Sequence, residues 1–412
     1  MKLLRIFALA SVVTLLTASA AMAEKLVIAG RDGGYASALS KMVDAYKAAN
    51  PGLEVDRLEL PYGGLLEKVT ISMREKAGAY DVIMLDDTWA VEFMSRGWLA
   101  DLDKLGGGID KDFVGSAVAV SRYPVGSGPL YGVPFVGNVE LFAYRSDLLK
   151  KHLGGAPKSW SEVLKAAKAV KAGEKGVSGV VFRGKKANPI VTGFLPILWG
   201  HGGRVVDKDG KAGLDSDAGL KALNLFLELK NSAPKGVETY NSSEVRDALM
   251  QGTTAMSIEL WPSWAPSLDD PKKSRVPGKI EIMAAPGETE QSSPMLGTWL
   301  LAVPADAPNP KRGRAFIDFV TSAANQKTLA LEFGTPPTRA SVYGDGDVVG
   351  KYRWYPAQLK ALQQARPRPR ITQWTKVEAV LGDYLQLALI GQMSAKDALS
   401  EANAQIARVL KR

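Results

Sequence analysis

The chain has 412 residues, 46% of them hydrophobic, no cysteine and a formal net charge of +9. That length suits two or three domains held together by core burial alone, and the missing cysteines exclude a disulfide framework, a thiolate zinc site and a lipid-bearing cysteine. Basic residues such as Lys165, Lys168 and Lys171 are spread among acids on a helical face, which reads as solvated surface and not as a nucleic-acid patch.

The opening MKLLRIFALASVVTLLTASAAMA carries Lys2 and Arg5, stays apolar through Leu16 and ends in small residues at Ala21-Met22-Ala23. This tripartite order predicts a signal peptide over residues 1–23, cut after Ala23. Its apolar run is shorter than the ~20 residues that cross a bilayer, which argues against an anchor. Removing Lys2 and Arg5 leaves +7 on a mature chain expected to be soluble and periplasmic.

KLVIAG, Lys25 to Gly30, is a short strand, and Leu39, Met42, Val43 and Tyr46 then recur at helical spacing until Asn50-Pro51-Gly52 stops the helix. LEVDRLEL alternates like a strand and LLEKVTISMREKAG reads as a helix. YDVIML, Tyr80 to Leu85, has the continuous apolar core of a strand covered on both faces, as in a parallel sheet. In such α/β sheets ligands sit beyond the carboxyl ends of the strands. The residues there are Arg31, Asp32 and Tyr35 after the first strand, and Asp86, Asp87 and Trp89 after the third. Asp86 or Asp87 alone also fits a helix N-cap.

YGVPFVGNVELFAYRSDLL places Asn138 and Glu140 among apolar neighbours and reads as a crossing between domains. PKSWSEVLKAAKAVK is a helix capped by Ser159 or Ser161, GVSGVVFR a strand and GLKALNLFLELKN a helix. A buried strand comes next in TAMSIELWPSW, Thr254 to Trp264, which ends in Glu259, Trp261 and Trp264 around Pro262. EIMAAPGETEQSSPMLGTWLLAVP has two strand-like halves and reads as a second crossing, RGRAFIDFVTSAANQKTLALEFG is helical, TPPTR is a rigid turn, and Asp397 to Leu410 form the last helix.

A sugar presents apolar C–H faces and a rim of hydroxyls, so its site needs flat rings and fixed donors and acceptors. Trp261 and Trp264 supply rings and Glu259 an acceptor; a tryptophan pair in the core is the competing reading. Catalysis has little support. Adjacent Asp86 and Asp87 do not give two carboxyls facing each other across a glycosidic bond, His152 and His201 have no metal-ligand spacing, and no GxGxxG or Walker pattern occurs. Tryptophans beside carboxylates also suit a cation such as a polyamine.

Over nearly all of the mature chain the sequence resembles the extracellular solute-binding proteins of ABC importers, in the branch of the maltose-binding and other sugar-binding proteins. The motifs LVIAGRDGGYASAL, YDVIMLDDTWAVEFMSRGWLADLD, YGVPFVGNVELFAYRSDLLKK, PKSWSEVLKAAK, QGTTAMSIELWPSW, PNPKRGRAFIDFVTS and GQMSAKDALSEANAQI occur in the family's order. The resemblance implies a two-lobe periplasmic binding protein fold, type II-like, with a ligand cleft between α/β lobes joined by several crossings. The lobes are expected at 24–134 with 295–340 and at 135–294 with 341–412. Position by position it implies ligand contacts at Asp32, Tyr35, Asp86, Asp87, Trp89 and Asn138. In the second half it implies Glu259 with Trp261 or Trp264 as a stacking platform, Thr298 and Trp299 after the second crossing, and Arg370 with Trp374 late in the chain. It further implies a monomer that binds a sugar or polyol without turnover, needs no metal or cofactor, engages no nucleic acid and delivers to permease subunits.

Overall fold

A computed structural model of the chain describes residues 25–291 and 294–411, so the expected cut after Ala23 lies outside the described residues. The strands, in chain order, are β1 (Lys25–Arg31), β2 (Glu54–Leu60), β3 (Val82–Asp86), β4 (Val133–Val136), β5 (Leu141–Arg145), β6 (Met256–Leu260), β7 (Ile280–Met283) and β8 (Trp299–Ala302). They form two sheets, ordered β2-β1-β3-β8-β4 and β6-β5-β7. Each sheet with its helices makes one α/β lobe.

The first lobe matches its hydrophobic pattern closely. β3 is buried along its whole length in mid-sheet, while β2, alternating and charged, takes the edge, where Glu54, Asp56, Arg57 and Glu59 discourage pairing with another chain. Leu39, Met42, Val43 and Tyr46 line the buried face of the Gly34–Ala49 helix, which ends at Asn50. The sheet is mixed, not all parallel: β1 runs parallel to β2 and β3, but β8 enters antiparallel between β3 and β4. It can do so because the chain leaves this lobe after β4 and returns through β8.

In the second lobe Phe142, Phe182, Phe194 and Phe226 anchor a core between the sheet and its helices. GVSGVVFR contributes only single parallel bridges, Ser178 to Thr254 and Val181 to Ser257. The ladder stops at Arg183, whose backbone N–H donates to the Glu259 carboxylate instead of to a neighbouring strand. The stretch RGRAFIDFVTSAANQKTLALEFG is two helices, Pro310–Val320 and Ala323–Phe333, because the Ser322 side chain caps the second one. Ser159, not Ser161, caps the Trp160–Gly173 helix.

Three connecting segments run side by side between the lobes. Residues 137–140 and 294–298 exchange backbone hydrogen bonds, Glu140 N–H to Met295 O at 2.8 Å and Gly297 N–H to Asn138 O at 3.0 Å. The third, residues 334–339, accepts the Gly137 N–H at Pro336 O, 2.8 Å away. This packing has no room for a side chain at 137, where a Cβ would fall 2.0 Å from Pro337 O. Gly137→Ala is therefore expected to cost about 1–3 kcal/mol of stability, seen as a lower urea midpoint in equilibrium unfolding.

Candidate functional site

A cavity of about 430 Å³ lies between the lobes. The first lobe lines it with residues just beyond its strands: Arg31, Asp32 and Tyr35 after β1, Tyr62 after β2, Asp86 at the end of β3, and Trp299 at the start of β8. The second lobe contributes Arg183, Asn188, Ser242, Trp261, Ser263 and Trp264, Asn138 and Gly297 come from connecting segments, and Arg368 comes from residues 366–370, which bridge to Met295. Five helices, Gly34–Ala49, Tyr62–Glu75, Asp87–Ser95, Asn188–Gly200 and Ser242–Gln251, begin at or next to lining residues. Their first turns bring backbone N–H groups that have no partner within the helix, so the wall is rich in donors.

The charges of the wall are paired among themselves. Arg368, 3% exposed, donates from Nη2 to Asp86 Oδ1 at 3.1 Å and to Asp87 Oδ1 at 2.8 Å. Arg370 Nη1 donates to the Asp87 carbonyl and its Nη2 to Val120 O at 2.9 Å. Asp86 Oδ1 also accepts Thr88 N–H at 3.1 Å, which caps the Asp87–Ser95 helix. On the opposite side Arg183 is held from its backbone N–H to Glu259 Oε1 at 2.7 Å and from Nε to Oε2 at 2.9 Å, with Nη2 donating to the Thr192 hydroxyl. Arg31 pairs with Asp32 at 2.8 Å. Burial pushes the Asp87 carboxyl up, to about 7, against the pull of Arg368.

Of the residues expected at the site, Asp32, Tyr35, Asp86, Asn138, Trp261, Trp264 and Trp299 line the cavity. The others stand behind its wall. Asp87 is fully buried and holds the two arginines. Glu259 offers a ligand nothing, because both of its oxygens are engaged by Arg183. Arg370 is spent on main-chain carbonyls. Thr298 is buried between β8 and the connecting segment. Trp89 is a support, packed edge-on against Trp299 at 5.4 Å and against Tyr62 at 4.7 Å. Trp374, 1% exposed, belongs to the second lobe's core.

The two tryptophans of TAMSIELWPSW divide the work. Trp264 is 8% exposed and packs with Leu260 and Leu268 in a core cluster. Trp261 is half-buried, with the Arg183 guanidinium 5.5 Å from its ring centre and its edge against Gly297, where a Cβ would lie 2.6 Å from the ring. Trp261 is thus the more open of the two rings, backed by Arg183. Lining residues that the sequence pattern did not single out include Tyr62, Arg183, Asn188, Ser242, Ser263 and Arg368. The rule applied to β1 and β3, inspecting the residues beyond each strand's carboxyl end, finds Tyr62 after β2 and Arg183 after the GVVF bridges. Nothing local marks Arg368 apart from the other arginines of RPRPR.

Trp264→Ala is expected to cost about 3–5 kcal/mol as a core deletion, whereas Trp261→Ala should unfold close to the parent midpoint. Urea unfolding of the two variants, monitored by far-UV circular dichroism, checks the difference.

Comparison with known proteins agrees with this architecture. A probable ABC transporter-binding protein of Deinococcus radiodurans is 29% identical over 353 residues, 81% of either chain. The fold matches that of an ABC transporter solute-binding protein of Agrobacterium radiobacter in complex with ribitol, with a TM-score of 0.84, 25% identity and coverage of 94% of this chain and 98% of that one. It also matches maltose-bound MalE3 of T. maritima, with a TM-score of 0.83, 27% identity and coverage of 94% and 99%. The sequence model of one family covers residues 32–327, most of both lobes and every lining residue of the cavity except Arg31 and Arg368. On that match, and with a cleft built between two α/β lobes, the chain belongs to the bacterial extracellular solute-binding proteins, a family of binding proteins and not of enzymes.

Proposed function

We propose that this protein captures a small neutral polyhydroxy compound, a polyol or a sugar, between its lobes and delivers it to the permease of an ABC importer. It does so as a periplasmic monomer, after removal of residues 1–23. Its lobes are those expected, 24–134 with 295–340 and 135–294 with 341–412, except that the first break moves past β4, to residues 137–140. The cavity's size falls in the range of about 300–1,000 Å³ usual for small-molecule sites.

The carrying observation is the internal pairing of the charges around the cavity. Arg31 faces Asp32, Arg368 faces Asp86 and Asp87, and Arg183 faces Glu259. A ligand therefore meets hydrogen-bonding groups without a net uncompensated charge. Asp86 Oδ2 and Asn138 Oδ1 have no hydrogen-bond partner among the described residues and suit hydroxyl donors; the helices that begin at Gly34, Tyr62 and Asn188, which no side chain caps, bring N–H groups for hydroxyl oxygens. Trp261 and Trp299 add rings for C–H faces. The ribitol and maltose carried by the two structural relatives are compounds of this kind.

A polyamine is disfavoured by the same pairing, because no carboxylate of the wall lacks a guanidinium beside it and the N-terminal ends of five helices oppose a cation. Hinge closure over the ligand is the motion known for periplasmic binding proteins as a class.

Titration calorimetry with ribitol, D-mannitol, maltose and spermidine at low and high ionic strength tests the proposal. A carbohydrate should bind with an affinity that changes less than about twofold with salt, since no net charge is neutralised. At 100 times its dissociation constant it should stabilise the protein by about 2.7 kcal/mol. Spermidine binding more tightly than every carbohydrate, and weakening steeply with salt, overturns the substrate class.

A further inference from the structure

Glu140 lies on the connecting segment between β4 and β5, two residues beyond the cavity residue Asn138. It is 1% exposed, and neither carboxyl oxygen has a hydrogen-bond partner among the described residues. Its backbone N–H ties the segment to Met295 O on the second connecting segment. The charged groups that face it are Glu259 from β6, Arg183 from the end of the GVVF bridges, and Arg368 from the segment beside residues 294–297.

None of these supplies it with a hydrogen bond. Arg183 gives its Nε and Nη2 to Glu259 and Thr192, and Arg368 gives its Nη2 to Asp86 and Asp87. A buried carboxylate without a donor is among the least favourable groups a protein interior can hold, whereas the neutral acid costs far less. Burial accordingly holds the Glu140 carboxyl well above the usual carboxylate range, and the Glu259 charge pushes the same way, against Arg183 and Arg368.

The surroundings of Glu140 come from both sides of the cleft. Glu259 and Arg183 belong to the second lobe, while Arg368 is clamped to Asp86 and Asp87 of the first. The class's hinge motion, taken about residues 137–140, would draw these groups apart and admit water to the carboxyl. We propose that Glu140 is a proton-binding site coupled to capture, neutral in the closed cleft and ionised when the lobes part. The coupling rests on the carbohydrate-capture reading. Ligand binding then takes up a proton at neutral pH, and affinity falls by up to tenfold per pH unit above the open form's pKa.

The sign for folding is the same. An acid raised in the folded state contributes fully below its unfolded pKa, and that contribution is lost as pH rises toward the folded value. In the ligand-saturated, closed protein Glu140→Gln, which cannot ionise, is expected to raise the urea midpoint little at pH 5 and markedly at pH 8, whereas in the ligand-free, open protein the two chains should unfold alike at both pH values. Calorimetry in two buffers of different ionisation enthalpy, with ribitol, D-mannitol and maltose as probes, should show uptake approaching one proton per ligand in the wild type and little in Glu140→Gln. That variant should also bind more tightly than the wild type at pH 8. Glu140→Leu serves as a second neutral replacement in both measurements.

Equal gains for both variants at pH 5 and pH 8 overturn the proton site. Uptake that persists in both variants, or is absent from the wild type, overturns the coupling. Failure of every probe to give heat sinks the carbohydrate reading and the coupling together, whereas heat with no proton uptake in the wild type sinks the coupling alone.

Discussion

Charges removed from water must be neutralised by partners within the protein, and the space between these lobes is built around that requirement. Two buried clusters satisfy it. Asp86 and Asp87 grip Arg368 on one side of the cavity, and Glu259 grips Arg183 on the other. Removing one partner of such a buried pair costs about 3–5 kcal/mol, so the clusters work as units and hold their arginines rigidly at the wall. Two groups of the cavity wall are mounted on them. The guanidinium of Arg183 backs the Trp261 ring, and Arg368 fixes the carboxyl of Asp86 that caps the Asp87–Ser95 helix.

The same constraint explains why a wall with several charges suits a neutral ligand. Each arginine is neutralised by a neighbour before a ligand arrives, so what remains at the surface is a pattern of donors and acceptors with no strong long-range field. The aromatic side chains show an equivalent division. Trp89 and Tyr62 pack against Trp299, and Trp264 is held in a core cluster, leaving Trp261, the half-buried one of the three lining tryptophans, to present the most surface. Glu140 departs from the rule: it is buried among charges yet its carboxyl has no hydrogen-bond partner among the described residues. Asp86, Asp87 and Glu259 each accept from an arginine, whereas Glu140 does not, which makes the neutral acid the natural state of this one.

Much of the first lobe was legible because its signals are local. The periodicity of Leu39, Met42, Val43 and Tyr46 marks one buried helix face, and the unbroken apolar run of β3 marks a strand covered on both sides. The insertion of β8 antiparallel beside β3 was not legible, since strand direction depends on a return from the other lobe more than 200 residues later. Helix ends were decided by single hydrogen bonds. Ser322 splits one apparent helix into two, and Ser159 takes the cap that Ser161 was equally suited to supply.

The sequence by itself determined the α/β character, the family and the stretches from which the cavity is drawn, because strand ends, turn residues and motif order are properties of contiguous residues. It could not rank the side chains within those stretches. Asp86 and Asp87 are neighbours in the chain, yet Asp86 lines the cavity and Asp87 is enclosed behind it; Trp261 and Trp264 both reach the cavity, but Trp264 is 8% exposed in a core cluster while Trp261 is only half-buried. Glu259 reads as a ligand acceptor in its own stretch, but Arg183, 76 residues away, occupies both of its oxygens. Whether a polar group is free for a ligand depends on which distant side chain reaches it first. Only the packing of the two lobes settles that competition.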